Sequence, residues 1–162
     1  MPKAISWTLL IIPYLLAVGP TSQAGETAAN DRAEQPSAQT DRSPVDLALS
    51  ADGRWLVTAN ETSSSVSLIR TKDRLIVDEL VCGRHPADIE ICPDGQTVLV
   101  SGSWSGDITI LKIIDGRLQR SGVIDVGFEP CGMAVTPDGN RAFVGLVATG
   151  QIAEIDLQTH SV

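Results

Sequence analysis

The stretch "TPDGNRAFVGL", residues 136–146, decides the fold. Asp138-Gly139 is a tight-turn dipeptide, and the apolar alternation after it is that of a half-buried strand. Alone it predicts one β-hairpin. The chain says nearly the same thing at 50–60, "SADGRWLVTAN", and at 92–102, "CPDGQTVLVSG". Three copies of one hairpin are the mark of a repeat, and a repeat changes the fold that the hairpin implies.

Working outward, each copy sits in a unit that opens on a proline, at Pro44, Pro86 and Pro130, so the offsets are 42 and 44 residues. Within the units the spacing is constant. Each Asp-Gly pair falls eight residues after its proline, and each later alternating run is anchored 22 residues after it, at Val66, Ile108 and Ile152. The extra two residues of the second unit belong after its third strand, where "IIDGRLQRSGVIDVG" stands against "TKDRLIVDELVCG". The second unit parses into the strands "ADIEIC", "QTVLVS", "DITILKI" and "RLQRSGVIDV". Four short antiparallel strands every 42 to 44 residues are the period of a β-propeller blade, so the fold class is all-β, with about three four-stranded blades in an incomplete ring. The third unit reaches "DLQTHSV" before a fourth strand, and three blades do not close. The chain is therefore expected to be a fragment, or one part of a ring that self-association completes.

The N-terminus carries a different signal. Lys3 is followed by the apolar "AISWTLLIIPYLLAVG" and by "TSQA", small residues before Gly25. This is the pattern of a secretory signal peptide over residues 1–24, with no stable membrane span after cleavage. Residues 25–43 have no aromatic, Val, Ile or Leu and read as a disordered linker. The propeller repeats fill 44–162. The localisation implied is periplasmic, cell-surface or secreted. With 12 basic against 20 acidic residues and a net charge of −8, the protein repels phosphates, so nucleic acid is not expected as a partner.

"WLVTANETSSSVSLI", "CGRHPADIEICPDG" and "VGFEPCGMAVTPDG" together resemble the YVTN-type β-propeller repeat, with its Tyr-Val-Thr-Asn-like strand, Val-Ser-Val-Ile-Asp-like strand and Val-Gly-x-x-Pro junction. Leu56, Leu99 and Phe143 stand where that repeat often has its first aromatic. The resemblance implies a ring of six to eight blades, commonly seven, with ligands bound on the face that carries the junctions. It also covers lactonases and propeller subunits of quinone- or copper-dependent oxidoreductases, some joined to c-type cytochrome domains.

In a four-stranded blade the junctions between units and the turns after each second strand emerge together. That face collects Arg84, His85, Trp104, Phe128 and Glu129 as candidate ligand-binding residues, with Glu61 at the rim. His85 reads either as a metal ligand or base, or as a solvated loop residue. Trp104 reads either as a platform for a ligand or as a cap on the neighbouring blade. Asp46, Asp88 and Glu90 on the innermost strands read as channel carboxylates that line a wet channel, hold a divalent cation or act as an acid/base pair. The metal is unknown. Gly132 and Ala134 stand at these places in the third unit.

Cys82, Cys92 and Cys131 occupy unrelated positions and leave any pairing open. No Cys-x-x-Cys-His, nucleophile elbow, P-loop or zinc spacing occurs, so no catalytic residue and no cofactor is evident. The function expected is an exported module serving as a binding or interaction scaffold for a protein or small-molecule ligand. The alternative is part of a propeller enzyme or electron-transfer protein whose catalytic residues lie outside this chain.

Overall fold

The structure is a computed structural model that describes residues 41–162; the expected signal peptide and residues 25–40 of the expected linker lie outside it. β1 (Pro44–Leu49), β2 (Trp55–Asn60), β3 (Ser65–Arg70) and β4 (Leu75–Val81) form the first antiparallel sheet, in that order. The second sheet is β5 (Pro86–Ile91), β6 (Thr97–Gly102), β7 (Asp107–Ile114) and β8 (Arg117–Asp125). β9 (Pro130–Val135), β10 (Arg141–Leu146) and β11 (Gln151–Asp156) form a third sheet of three strands. An isolated bridge from Asp156 to Ser161 begins the place of its fourth strand. These are three consecutive propeller blades. Among the described residues no helix is long and apolar enough to cross a membrane.

The turns explain why Asp-Gly recurs. Asp52 accepts the main-chain N–H of Arg54, Asp94 those of Gln96 and Thr97, and Asp138 that of Asn140. Each following glycine is left-handed, with φ of 69°, 68° and 71° at Gly53, Gly95 and Gly139. The aspartate caps the turn and the glycine lets it close. A second left-handed set was not expected. Ser43, His85 and Glu129, each immediately before the proline that opens a blade, have φ of 46°, 54° and 55°. The carbonyls of these residues accept the N–H of Glu61, Ser103 and Val147, which start the turn after each second strand. The main chain at three equivalent junctions is thus held in a conformation that non-glycine residues adopt at a cost.

Packing follows the strand alternation. Val57, Ala59, Val66, Leu68, Leu80 and Cys82 of the first blade meet Ile89, Val98, Val100, Leu111, Ile113 and Leu118 of the second. The second blade turns its other face, Leu99, Ile108, Ile110 and Ile124, onto Ala142, Val144 and Ile155 of the third. In β6 the alternation is visible residue by residue, since Val98 and Val100 point one way and Leu99 the other. The two extra residues of the second unit lie in β8, which has nine residues against the seven of β4. They lengthen the β7–β8 hairpin, which closes through Asp115-Gly116 where β3 and β4 are joined by residues 71–74, and both blades carry the same bulge, at Leu68/Ile69 and at Ile110/Leu111.

The innermost strands are stitched from blade to blade by carboxylates. Asp46 Oδ2 accepts the N–H of Ile89 at 2.9 Å, and Asp88 Oδ2 accepts the N–H of Met133. On the outer strands Asp78 accepts the N–H of Leu118 at 2.8 Å. Asp46 and Asp88 occupy the same place in successive blades, so one device is used twice.

All three cysteines are free, Cys82 and Cys92 buried and Cys131 exposed. Burial pushes the Cys82 thiol up to about 12 and that of Cys92 to about 11.

Candidate functional site

The junction entering the second blade, the turn after β6 and the turn after β2 meet on one face. The N–H of Ser103 donates to the carbonyl of His85 at 3.1 Å and that of Trp104 to the carbonyl of Arg84 at 3.2 Å. The N–H of His85 donates to Ser64 Oγ of the first blade at 3.4 Å. Glu61, Thr62, Ser64, Arg84, His85 and Trp104 line the resulting cleft, with a volume of about 390 Å³. That is within the size range of small-molecule sites.

His85 is fixed on three sides. Its ring lies on the indole of Trp104 with centroids 4.2 Å apart and planes 6° from parallel. Nε2 stands 3.2 Å from Glu61 Oε1. Nδ1 stands 3.3 Å from Ser103 Oγ. Glu61 belongs to the first blade, Ser103 and Trp104 to the second and His85 to the junction that joins them, so the ring is held between the two blades.

A serine, a histidine and a glutamate in line invite comparison with a nucleophilic triad. The geometry answers otherwise. The Ser103 hydroxyl donates to the carbonyl of His85 at 2.8 Å, a better bond than its contact with the ring. Ser103 therefore braces the left-handed junction, and the imidazole is a positioned surface. Among the described residues no three His, Cys, Asp or Glu side chains gather as a metal site.

Trp104 is 62% exposed despite the imidazole on one side, so a large part of the indole is open to solvent. It stacks on His85, in the junction that precedes β5. Arg84 is exposed, and its N–H is anchored by Ser105 Oγ at 2.9 Å, which fixes the main chain that carries the guanidinium. Phe128 and Glu129 fall in the next junction. Phe128 is 72% exposed, and Glu129 takes the left-handed position that His85 takes one blade earlier. The structure thus brings Arg84, His85, Trp104 and Glu61 together in one cleft, which Phe128 and Glu129 do not line, although the N–H of Glu129 donates to the carbonyl of Ser103 at 3.1 Å. Ser103 was not singled out by sequence reasoning, although the repeat places it 42 residues after Glu61.

Asp46 and Asp88 are occupied by main-chain N–H groups of the following blade, which gives them a structural task on the channel side. Burial, then the neighbouring Asp46, raises Asp88 from 3.8 to about 6. Burial and Asp46 also raise Glu90. Behind the cleft, the Asp107 carboxylate is raised by burial, and its Oδ1 is buried without a hydrogen-bond partner.

No protein-family model matches the sequence. An uncharacterised WD repeat-containing protein of Synechocystis sp. is 30% identical over 122 residues, which cover 72% of this chain and 34% of the relative. The chain therefore spans about a third of the length of that relative. Among solved structures, hydrazine synthase of Kuenenia stuttgartiensis superposes with a TM-score of 0.69 at 24% identity, over 78% of this chain and 36% of the other. A candidate 6-phosphogluconolactonase of Bacteroides fragilis gives 0.68 at 22%, over 75% and 37%. A β-propeller domain from Myceliophteria thermophila gives 0.62 at 18%, over 74% and 40%. At these identities the structural likeness speaks for the fold, and the fold of this chain is that of β-propeller blades.

Proposed function

We propose that the protein is a binding scaffold whose working surface is the face carrying Arg84, His85 and Trp104. The observation behind this reading is the His85–Trp104 stack, clamped by Glu61 across two blades and open on its outer side. A preorganised aromatic surface loses little conformational freedom when a ligand covers it, and a neighbouring arginine adds charge recognition. Trp and Arg are also the residues that dominate binding energy where proteins meet. The chemistry that fits is a planar ring bearing a carboxylate, on a free small molecule or on a protruding residue of a partner protein.

Export to the periplasm, cell surface or medium is part of the same reading. It is supported by the charge, apolar run and small residues of 1–24 and by an acidic mature chain. The YVTN-type junctions "CGRHP" and "VGFEP" support assignment to that repeat subtype.

The test is a titration with phenylacetate, with benzyl alcohol as the uncharged control, followed on the Trp104 indole N–H resonance. Phenylacetate is expected to shift it with at least tenfold higher affinity than benzyl alcohol, and Arg84→Ala to remove the difference. Equal or absent responses to both probes overturn the reading.

A further inference from the structure

The interface between the first and second blades holds a side chain that the next interface lacks. Trp55 and Thr97 each stand 11 residues after the proline that opens their blade, and each opens a second strand, paired with Arg70 and Lys112 of the third. Trp55 packs against the core that the first two blades share. Its indole reaches the β7–β8 hairpin of the second blade, where a Cβ built on Gly116 would lie 3.2 Å from Trp55 Cη2. The indole thus plugs the crevice between these blades on the side of the Asp-Gly turns.

Between the second and third blades the smaller Thr97 takes this place, and a crevice of about 180 Å³ is open. Cys92, Ile110 and Leu157 give it apolar walls. Leu157 is the counterpart of Ile113 in the plugged interface: the N–H of Ile113 donates to the carbonyl of Gln96 at 2.8 Å, and that of Leu157 to the carbonyl of Asn140 at 2.9 Å. Thr97 is held to one side, its hydroxyl donating to Asp94 and accepting from the Lys112 ammonium. His160 lines the crevice from the third blade and leans on β8 of the second, where a Cβ on Gly122 would meet its Nδ1 at 2.9 Å.

What the crevice can take follows from what the chain places in its counterpart. An apolar cavity of about 150 Å³ accommodates a benzene ring. This crevice is larger, and a flat ring gains more from burial than any aliphatic group of similar length. The rim is polar, with the carboxylates of Asp94 and Asp138 against the single ammonium of Lys112. Asp138 Oδ2 accepts from Asn140 Nδ2 of its own turn at 3.0 Å and has capacity for a second donor. Anions are disfavoured at such a rim, which sets it apart from the Trp104 cleft with its arginine.

We propose that the crevice between the second and third blades binds a planar bicyclic aromatic molecule bearing an N–H donor, such as indole, in the place that Trp55 fills one interface earlier. The site lies on the opposite face from the Trp104 cleft and does not rest on the function proposed for that cleft.

The test uses indole itself, added to the full chain and followed on the methyl resonances of Ile110 and Leu157. Indole is expected to shift both, with at least fivefold higher affinity than cyclohexanol, a ring that is not flat. Unmoved methyls, or equal affinity for the two probes, overturn the proposal without recourse to any variant. Thr97→Trp supplies the missing plug and is expected to abolish the response; a folded Thr97→Trp that still responds overturns the proposal. Trp55→Thr opens the first crevice and is expected to gain a second indole site, read on the Ile113 methyls. A folded Trp55→Thr whose Ile113 methyls ignore indole breaks the equivalence of the two crevices and overturns the proposal as well.

Discussion

The Asp88 carboxylate accepts the main-chain N–H of Met133, joining the second blade to the third through a group that burial and Asp46 make hard to ionise. Its folded value of about 6 lies above the ordinary 3.8. The folded state therefore holds the proton more tightly than the unfolded chain does. The stability this contributes is fully present below pH 4 and is lost as pH rises through 6. Asp88→Asn keeps an acceptor for Met133 and removes the charge. The variant is expected to melt higher than wild type at pH 7, with the advantage shrinking toward pH 4. Thermal unfolding of both across that range checks it. The difference between the two proteins matters, because Asp52, held at about 2 chiefly by the Arg54 amide, has the opposite slope at lower pH.

Asp46→Ala strips the acceptor from the Ile89 N–H and is expected to destabilise the chain by about 1.5–3 kcal/mol, the range for hydrogen bonds to charged groups. Urea unfolding measures it. A loss below a few tenths would mean that water replaces the carboxylate without cost.

Gly83 and Gly102 pack against the same buried carboxylate. A Cβ at Gly83 would lie 2.2 Å from Asp107 Oδ1 and 2.6 Å from Ser105 Oγ, and one at Gly102 would lie 2.3 Å from Ser105 Oγ. Gly83→Ala is expected to cost about 1–3 kcal/mol through forced displacement of Asp107. At Gly53 a Cβ meets nothing within 4 Å, so Gly53→Ala is expected to lose only the ~1 kcal/mol of a left-handed alanine. Chemical denaturation of the two variants separates steric from backbone cost.

One thiol per chain is expected to react with a thiol reagent under native conditions. Cys131 is exposed, while Cys82 and Cys92 are buried with their ionisation suppressed. Three thiols should react in denaturant.

What the sequence disclosed and what it withheld divide along contact range. Turns and strand alternation are local, so Asp52-Gly53, Asp94-Gly95, Asp138-Gly139 and the runs after them could be read directly, and with them the blades. The clamp on His85 depends on Glu61, 24 residues earlier and in another blade, and no spacing rule links the two. Nor does a pre-proline residue announce a left-handed φ, because proline restricts its predecessor toward extended conformations. The Asp46–Ile89 and Asp88–Met133 bonds cross 43 and 45 residues. That is the repeat period plus one, but only the packed blades show which neighbour each carboxylate reaches. Gly132 was legible as a break in the pattern of inner-strand acids, and the bulge of β9, which falls at Gly132 and not one residue earlier as in β1 and β5, supplies its physical reason.

The claim that the Trp104 face is a recognition surface is tested most directly by contacts between ligand and protein protons. With phenylacetate in excess, nuclear Overhauser transfer from its ring protons is expected to reach the Trp104 indole and the Thr62 methyl. Transfer to Trp55, or to the smaller cleft lined by Cys92, Lys112 and His160, with none to Trp104, would contradict the account.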